Sequence, residues 1–354
     1  VEFIKRKNMS KKNKKATVVG HFAEGKNLLN GQTVKTKIVY NELVRIYGKK
    51  QVDYIDTHGG AKVIIKALFK CIKKMNFSDN FIIMPAENGL RVFAPFLSLL
   101  NCFFNKRLHY VVIGGWLPDF LKNKIVLSFV LRKFSGIYVE TNFMKKLLEK
   151  DNFHNVFIMS NCKNLDILSA DKLIYSENYP FKLCTFSRVM KEKGIEDAIN
   201  AVTYINKKFN MEIFSLDIYG QIEEEQQQWF ESIMKGANKS IKYKGLVSYN
   251  ESTNVLKKYY ALLFPTFYQG EGFAGTLIDA MAAGVPVIAS DWKYNSEIII
   301  KGKNGILIEN DLISSLMYIK ENVNEWNELK INCLEIAKKY VPEVALEILV
   351  KKML

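Results

Sequence analysis

The sequence predicts an α/β protein of two Rossmann-like βαβ domains facing a cleft. Three observations carry this reading. The chain has 354 residues, more than a single core usually organises. Short, nearly continuous apolar runs alternate with stretches of helical period, the pattern of parallel strands buried on both faces. The alternation breaks once, over 162–180, and then restarts. The domains are therefore expected at 1–164 and 165–341, with a last helical segment at 342–354 that opens on Pro342.

In the first half, strands are expected at 16–21, 52–57, 81–85, 108–114, 136–140 and 156–159. Helical periods fall at 33–47, 61–75 and 142–150. In the second half, strands are expected at 183–187, 215–219, 241–243, 262–265, 285–289 and 305–308, with helices at 195–208 and 226–234. The longest apolar run, 92–104, is 13 residues and too short to span a bilayer, so it is expected as a buried helix. Residues 1–15 are basic without an apolar stretch and read as a solvated tail, not a secretory signal.

Composition excludes some function classes. A 48% apolar, 25% charged chain describes a folded soluble protein. Cys71, Cys102, Cys162, Cys184 and Cys333 show no metal or disulfide spacing and are expected as reduced thiols in a cytoplasmic protein. Charge is uneven: residues 1–180 hold 30 Lys and Arg against 14 Asp and Glu, net +16, and the remainder is net −1. A basic half attracts anionic partners, and the inner face of a membrane is one expectation. A segment at 120–134, with Lys122, Lys124, Arg132 and Lys133, is the expected amphipathic contact; a merely solvated helix face is the alternative. Nucleic acid is not expected, because no groove-reading or base-stacking module is present.

Two motifs carry the chemistry. In the first, the apolar run Ala261-Leu262-Leu263-Phe264-Pro265 leads into Gly270-Glu271-Gly272-Phe273-Ala274-Gly275, and a helix is expected from about Thr276. Free N–H groups of that helix point back at the loop and offer a site for phosphate or sugar oxygens. Asp279 follows Glu271 with seven residues between them, so one acid sits on the loop and one a turn into the helix. In the second motif, Phe186-Ser187-Arg188-Val189-Met190-Lys191-Glu192-Lys193-Gly194, a strand ends near Arg188 and a helix starts after Gly194. Arg188 and Lys193 can clamp a diphosphate, the first bidentately and the second as a point charge. Both are expected to be removable without loss of fold.

Glu271-Gly272-Phe273, followed by Ala280-Met281-Ala282 and Gly284-Val285-Pro286-Val287-Ile288, resembles the donor-site signature of retaining GT-B glycosyltransferases of the family-4 type, the glycosyl transferases group 1. The Arg188-x-x-x-x-Lys193-Gly194 spacing resembles the same family. The family usually has Glu where this chain has Asp279. Weaker matches follow: Asp217-Ile218-Tyr219-Gly220, with Ile222 in place of a second glycine; Lys244-Gly245-Leu246-Val247; and Ser290 to Glu297, which lacks the usual glycine pair.

The resemblance implies a sugar transferred from a nucleotide-diphosphate sugar to a glycan or lipid-linked acceptor, in bacterial surface polysaccharide synthesis as the family's usual territory. The first domain would hold the acceptor, the second the donor, and 342–354 would return to the first. Arg188, Lys193 and the N–H groups near Thr276 and Leu277 would stabilise the leaving diphosphate. Glu271 would hold the donor sugar and Asp279 the ribose. Gly272, Phe273, Ala274 and Gly275 would shape the loop, Gly220 would lie near the nucleotide, and Gly245 and Leu246 would receive the base. No metal or cofactor is expected, since no Asp-x-Asp occurs.

The first half has one rival motif. Gly20-x-x-x-x-Gly25-Lys26 reads as a Walker-A loop, which would make the chain a P-loop NTPase or kinase; Asn27 stands where Ser or Thr should hold Mg²⁺. In the transferase reading, Gly25 and Gly31 let the backbone approach the diphosphate. A third alternative is an inactive partner subunit. His21, at a strand end, is better placed for a site than His109, which is expected in the core. Trp116 is either an acceptor platform or a core residue.

Overall fold

The computed structural model describes residues 14–26, 30–248 and 251–354. Most of the basic tail (1–13) and Asn27 of the Walker-like loop lie outside the described residues. The chain divides into two compact units, Val1–Lys163 with Pro342–Leu354, and Asn164–Val341.

The first unit runs β1 (Lys14–Gly20), α1 (Gly31–Tyr47), β2 (Val52–Asp56), α2 (Ala61–Met75), β3 (Ser78–Ile83), α3 (Glu87–Phe104), β4 (Arg107–Val111), α4 (Leu117–Leu121), α5 (Ile125–Arg132), β5 (Gly136–Val139), α6 (Asn142–Lys150) and β6 (Val156–Ile158). Its sheet is parallel throughout, in the order β2-β1-β3-β4-β5-β6. The strand order reverses between β1 and β3, the place where open α/β sheets leave a crevice at their carboxyl ends. β3 starts earlier than the apolar pattern indicates. Its polar opening, Ser78-Asp79-Asn80, still pairs with β1, and Ser78 Oγ lies 2.6 Å from Thr17 Oγ1. The expected continuous helix over 120–134 is two helices. Asn123 adopts a left-handed φ of 64° and breaks the segment, and Phe120 and Phe134 are buried.

The second unit runs β7 (Phe181–Phe186), α7 (Ile195–Phe209), β8 (Phe214–Tyr219), α8 (Gln227–Lys235), β9 (Ile241–Gly245), α9 (Ser252–Leu256), β10 (Ala261–Phe264), α10 (Gly275–Ala282), β11 (Val287–Ser290), α11 (Asn295–Ile298), β12 (Gly305–Ile308), α12 (Leu312–Glu321) and α13 (Val323–Ala337). It too is parallel, ordered β12-β11-β10-β7-β8-β9. The order reverses between β7 and β10. Strands such as β10, buried along its whole length, are held between helices on both faces.

The chain ends in α14 (Pro342–Ala345) and α15 (Glu347–Met353), which belong to the first unit. Leu346, Leu349 and Met353 bury with Val18, Ile38 and Tyr138. The Met353 carbonyl accepts hydrogen bonds from Arg107 Nη1 (2.9 Å) and Asn80 Nδ2 (3.3 Å).

Candidate functional site

The second unit's switch point brings together the two motifs. After β7, Arg188 leads into a single 3₁₀ turn, Lys191–Lys193, that ends on Gly194 at φ +67°. A Cβ at Gly194 would lie 2.2 Å from the Pro265 carbonyl oxygen, so only glycine lets this turn approach the end of β10. The two loops are then stitched: Phe267 N–H donates to the Glu192 carbonyl (2.8 Å), and Thr266 Oγ1 lies 3.2 Å from the same oxygen.

Lys193 is delivered inward by that turn and is only 8% exposed. Its ammonium meets Glu271 Oε2 at 2.5 Å, and Thr266 Oγ1 donates to the same carboxylate oxygen at 2.9 Å. This corrects the expectation of a removable loop cation. Desolvating an ion is costly, so each member of this pair depends on the other. Arg188 differs: its side chain is 51% exposed and its Nη1 bonds Glu223 Oε2 at 3.1 Å. Both cations face one ring, since Lys193 Nζ is 4.9 Å and the Arg188 guanidinium carbon 5.5 Å from the centre of Tyr268. Tyr268 is fixed in turn by Trp292 Nε1, which donates to its carbonyl at 2.8 Å.

The glycine loop runs on into α10. Ala274 is the cap residue and offers no side-chain acceptor. Leu277 N–H is taken by the Ala274 carbonyl at 3.1 Å, so it is not available as an expected diphosphate donor. That leaves the N–H groups of Gly275 and Thr276, which no carbonyl of the helix can reach. Thr276 Oγ1 is buried without a hydrogen-bond partner, an orphaned polar atom at this helix start. Gly272 is half-buried, Phe273 is buried against Tyr340 (ring centres 5.1 Å apart), and Asp279 is buried within α10.

Gly220 and Gly245 are neighbours. Gly220 N–H donates to the Gly245 carbonyl at 3.0 Å, and Tyr243 OH donates to the Gly220 carbonyl at 2.8 Å. Gly220 has φ +138°, and a Cβ there would lie 1.7 Å from the Ser187 carbonyl oxygen, beside Arg188. Leu246 projects from the end of β9 and is exposed. Behind them Asp217 accepts from Tyr259 OH at 2.6 Å. Burial, and then this bond, raise the Tyr259 phenol far above its ordinary range, which keeps it a donor.

The first unit's switch-point loop is built otherwise. Asp56, at the end of β2, accepts from the N–H groups of Phe22 (2.9 Å), Ala23 (3.3 Å), Glu24 (2.9 Å) and His58 (2.8 Å). A Walker-A loop needs such N–H groups free for phosphate, so the NTPase alternative loses its physical basis here. Gly25 has φ +77°, and a Cβ at either Gly25 or Gly31 would meet nothing within 4 Å. His21 Nδ1 lies 2.7 Å from Thr33 Oγ1, and its Nε2 lies 2.7 Å from His58 Nδ1. Burial, followed by the His58 ring, lowers the His21 pKa. His109 is a core residue between Asn80 and Tyr138 (3.0 Å each), its pKa pushed down to about 4 by burial and then by Arg107. Trp116 Nε1 donates to the Ile113 carbonyl at 2.8 Å, and its ring packs edge-on against Phe120.

The second unit is a doubly wound α/β unit with two cations, a helix start and two carboxylates at its switch point, the place where open α/β sheets take ligands. Residues 180–318, all within the second unit, match the family described as glycosyl transferases group 1. The GtfA subunit of UDP-N-acetylglucosamine–peptide N-acetylglucosaminyltransferase from Streptococcus agalactiae is 32% identical over 167 residues, 47% of this chain and 32% of the relative. Poly(ribitol-phosphate) alpha-N-acetylglucosaminyltransferase of Staphylococcus aureus (strain COL) is 27% identical over 186 residues, 52% of this chain and 36% of that one. The chain spans about a third of the length of these curated relatives. In fold it is similar to the S. aureus TarM structure (TM-score 0.63, 22% identity, 82% of this chain and 57% of that one). It is also similar to Anabaena Alr3699/HepE in complex with UDP (TM-score 0.71, 12% identity, 96% and 99%). The fold is that of the GT-B glycosyltransferases.

Proposed function

We propose that this chain is a retaining, metal-independent glycosyltransferase that moves a sugar from a nucleotide-diphosphate sugar to a glycan or lipid-linked acceptor. The observation that supports it best is the Lys193–Glu271 pair beneath Tyr268, with Arg188 across the same ring, at the β7/β10 switch point. A donor diphosphate would draw Lys193 from Glu271, and Arg188 from Glu223. The two cations and the first-turn N–H groups of Gly275 and Thr276 would then stabilise the leaving diphosphate as preorganised electrostatics. Glu271, released from Lys193, would hold donor-sugar hydroxyls, and Asp279 the ribose. Gly220, Gly245 and Leu246 would border the base. The departing phosphate would take the acceptor proton on the same face, so no side chain forms a covalent intermediate. The acceptor would be held by the first unit.

A uridine diphosphate sugar is the first donor to test, since the Anabaena neighbour is described in complex with UDP, and N-acetylglucosamine is the first sugar, from the relatives' names. Those names also motivate surface glycans as the acceptor class. The experiment is a nucleotide-sugar screen by thermal stabilisation, because a ligand bound only by the folded chain raises its melting temperature. Turnover is then followed with and without EDTA. Stabilisation by one UDP-sugar and EDTA-resistant transfer are expected. No stabilisation by any nucleotide sugar would favour the inactive-subunit reading.

A further inference from the structure

The helices α2, α3 and α5 connect β2 to β3, β3 to β4 and β4 to β5. All three crossovers run the same way along the sheet, so right-handed connections place them on one face of it. α2 packs on α3, and α3 on α5. The outer side of this layer is not polar. Ile65, Phe69 and Ile72 on α2 recur at helical spacing and are exposed. Val92, Leu99 and Phe103 do the same on α3, with Phe103 81% exposed. On α5, Ile125 (81%), Val126 and Phe129 project outward. Apolar side chains repeated over three adjacent helices make a contiguous patch, not scattered surface residues.

The charges around it are mostly positive. α2 carries Lys62, Lys66, Lys70 and Lys73 beside its apolar stripe and no acid. α5 has no acid either and ends in Arg132, followed by Lys133, whose ammonium lies 4.2 Å from the Phe129 ring centre. Over 61–134 the chain holds 12 Lys and Arg against 3 Asp and Glu. Two copies of such a face would repel each other, which argues against a self-dimer. An anionic bilayer meets both requirements at once: headgroups pair the lysines and acyl chains take the aromatic and aliphatic tips.

We propose that the outer face of α2, α3 and α5 docks the protein on an anionic lipid surface, with Phe69, Phe103 and Phe129 inserted below the headgroups. The contact is wider than the 120–134 segment expected from sequence, and its apolar centre lies on α3 and α5. No helix among the described residues is long and apolar enough to cross a membrane, so this is a surface attachment.

The test uses the full chain. Cys102, on α3 beside Phe103, is exposed while the other four cysteines are buried, so a polarity-sensitive dye can be attached there. Vesicles of phosphatidylcholine alone are compared with vesicles containing phosphatidylglycerol. Co-sedimentation with the anionic vesicles only, weakening with salt, and a blue shift of the dye are expected. The Phe69→Ser/Phe103→Ser/Phe129→Ser variant should keep the wild-type melting temperature and lose about tenfold or more in partitioning. Equal binding to both vesicle types, or wild-type partitioning by the triple variant, would overturn the proposal. So would a wild-type dimer that ignores vesicles and that the triple variant dissolves, since a second copy would then occupy the face. Nucleotide-sugar stabilisation is read separately, and its failure or success leaves this result unchanged.

Discussion

Both sheets have a switch point beside their first strand, and the side chains there are arranged in opposite ways. In the first unit, the loop after β1 spends its N–H groups on Asp56, and its His21 imidazole bonds that of His58, which follows β2. The anion it could bind is already built in. In the second unit the cations are parked on carboxylates, Lys193 on Glu271 and Arg188 on Glu223, and the start of α10 keeps N–H groups and the Thr276 hydroxyl without internal partners. Two parallel six-stranded sheets, each with a switch point, thus differ there: one loop is closed on the Asp56 carboxylate, and the other sets paired cations beside a helix start. The side chains at the strand ends decide which.

The largest effect should come from unpairing Lys193. Lys193→Ala leaves the buried Glu271 carboxylate without its cation and should cost about 3–5 kcal/mol of stability in addition to turnover. Lys193→Met combined with Glu271→Leu should recover most of that stability and none of the activity. Urea unfolding of the three proteins checks this, and equal stability of Lys193→Ala and wild type would mean that the pair is not desolvated in solution.

A smaller loss is expected from Gly194→Ala. The new Cβ would press on the Pro265 carbonyl at a left-handed φ, so the two loops must separate, at about 1–3 kcal/mol. The same chemical change at Gly25 meets open space and should lose only the left-handed preference. A thermal melt showing equal loss at the two positions would remove the stitched-loop account.

The smallest effect is a pH dependence in the first unit. Burial opposes ionisation of Asp56, yet the backbone bonds from Glu24, His58, Phe22 and Ala23 hold its pKa below the ordinary value. A depressed folded pKa gives stability that is present above the unfolded pKa and lost as pH falls through the folded one. The wild-type advantage over Asp56→Asn should accordingly be full near neutral pH and shrink below about pH 4. An advantage that grows on acidification would have the wrong sign.

Much of this was legible in the sequence. Most strands among the described residues appear as apolar runs, because parallel strands buried on both faces leave that mark, and Arg188 and the glycine loop follow strand ends. What was not legible depends on tertiary pairing. Lys193 and Glu271 are 78 residues apart, and neither local sequence shows that both are buried. Thr266 carried a faint signal as a small polar residue just after a buried strand, while Glu223 carried none. Tyr268 lies two residues before the glycine loop, but its role follows only once two cations are seen over its ring. Polar Ser78-Asp79-Asn80 hid the start of β3, since hydrogen bonds to neighbouring strands, not burial of apolar area, hold it in the sheet.

The central claim is that the β7/β10 switch point of the second unit binds a nucleotide diphosphate through its cations. Arg188→Ala tests it most directly, because the half-exposed Arg188 can be removed without stranding a buried charge. Calorimetric titration of wild type and variant with UDP, at matched melting temperatures, is the measurement. The account predicts binding by wild type and an affinity about tenfold to a hundredfold weaker in the variant, the loss of one charge-assisted contact. Equal affinity in the two proteins, with both folded, would contradict it.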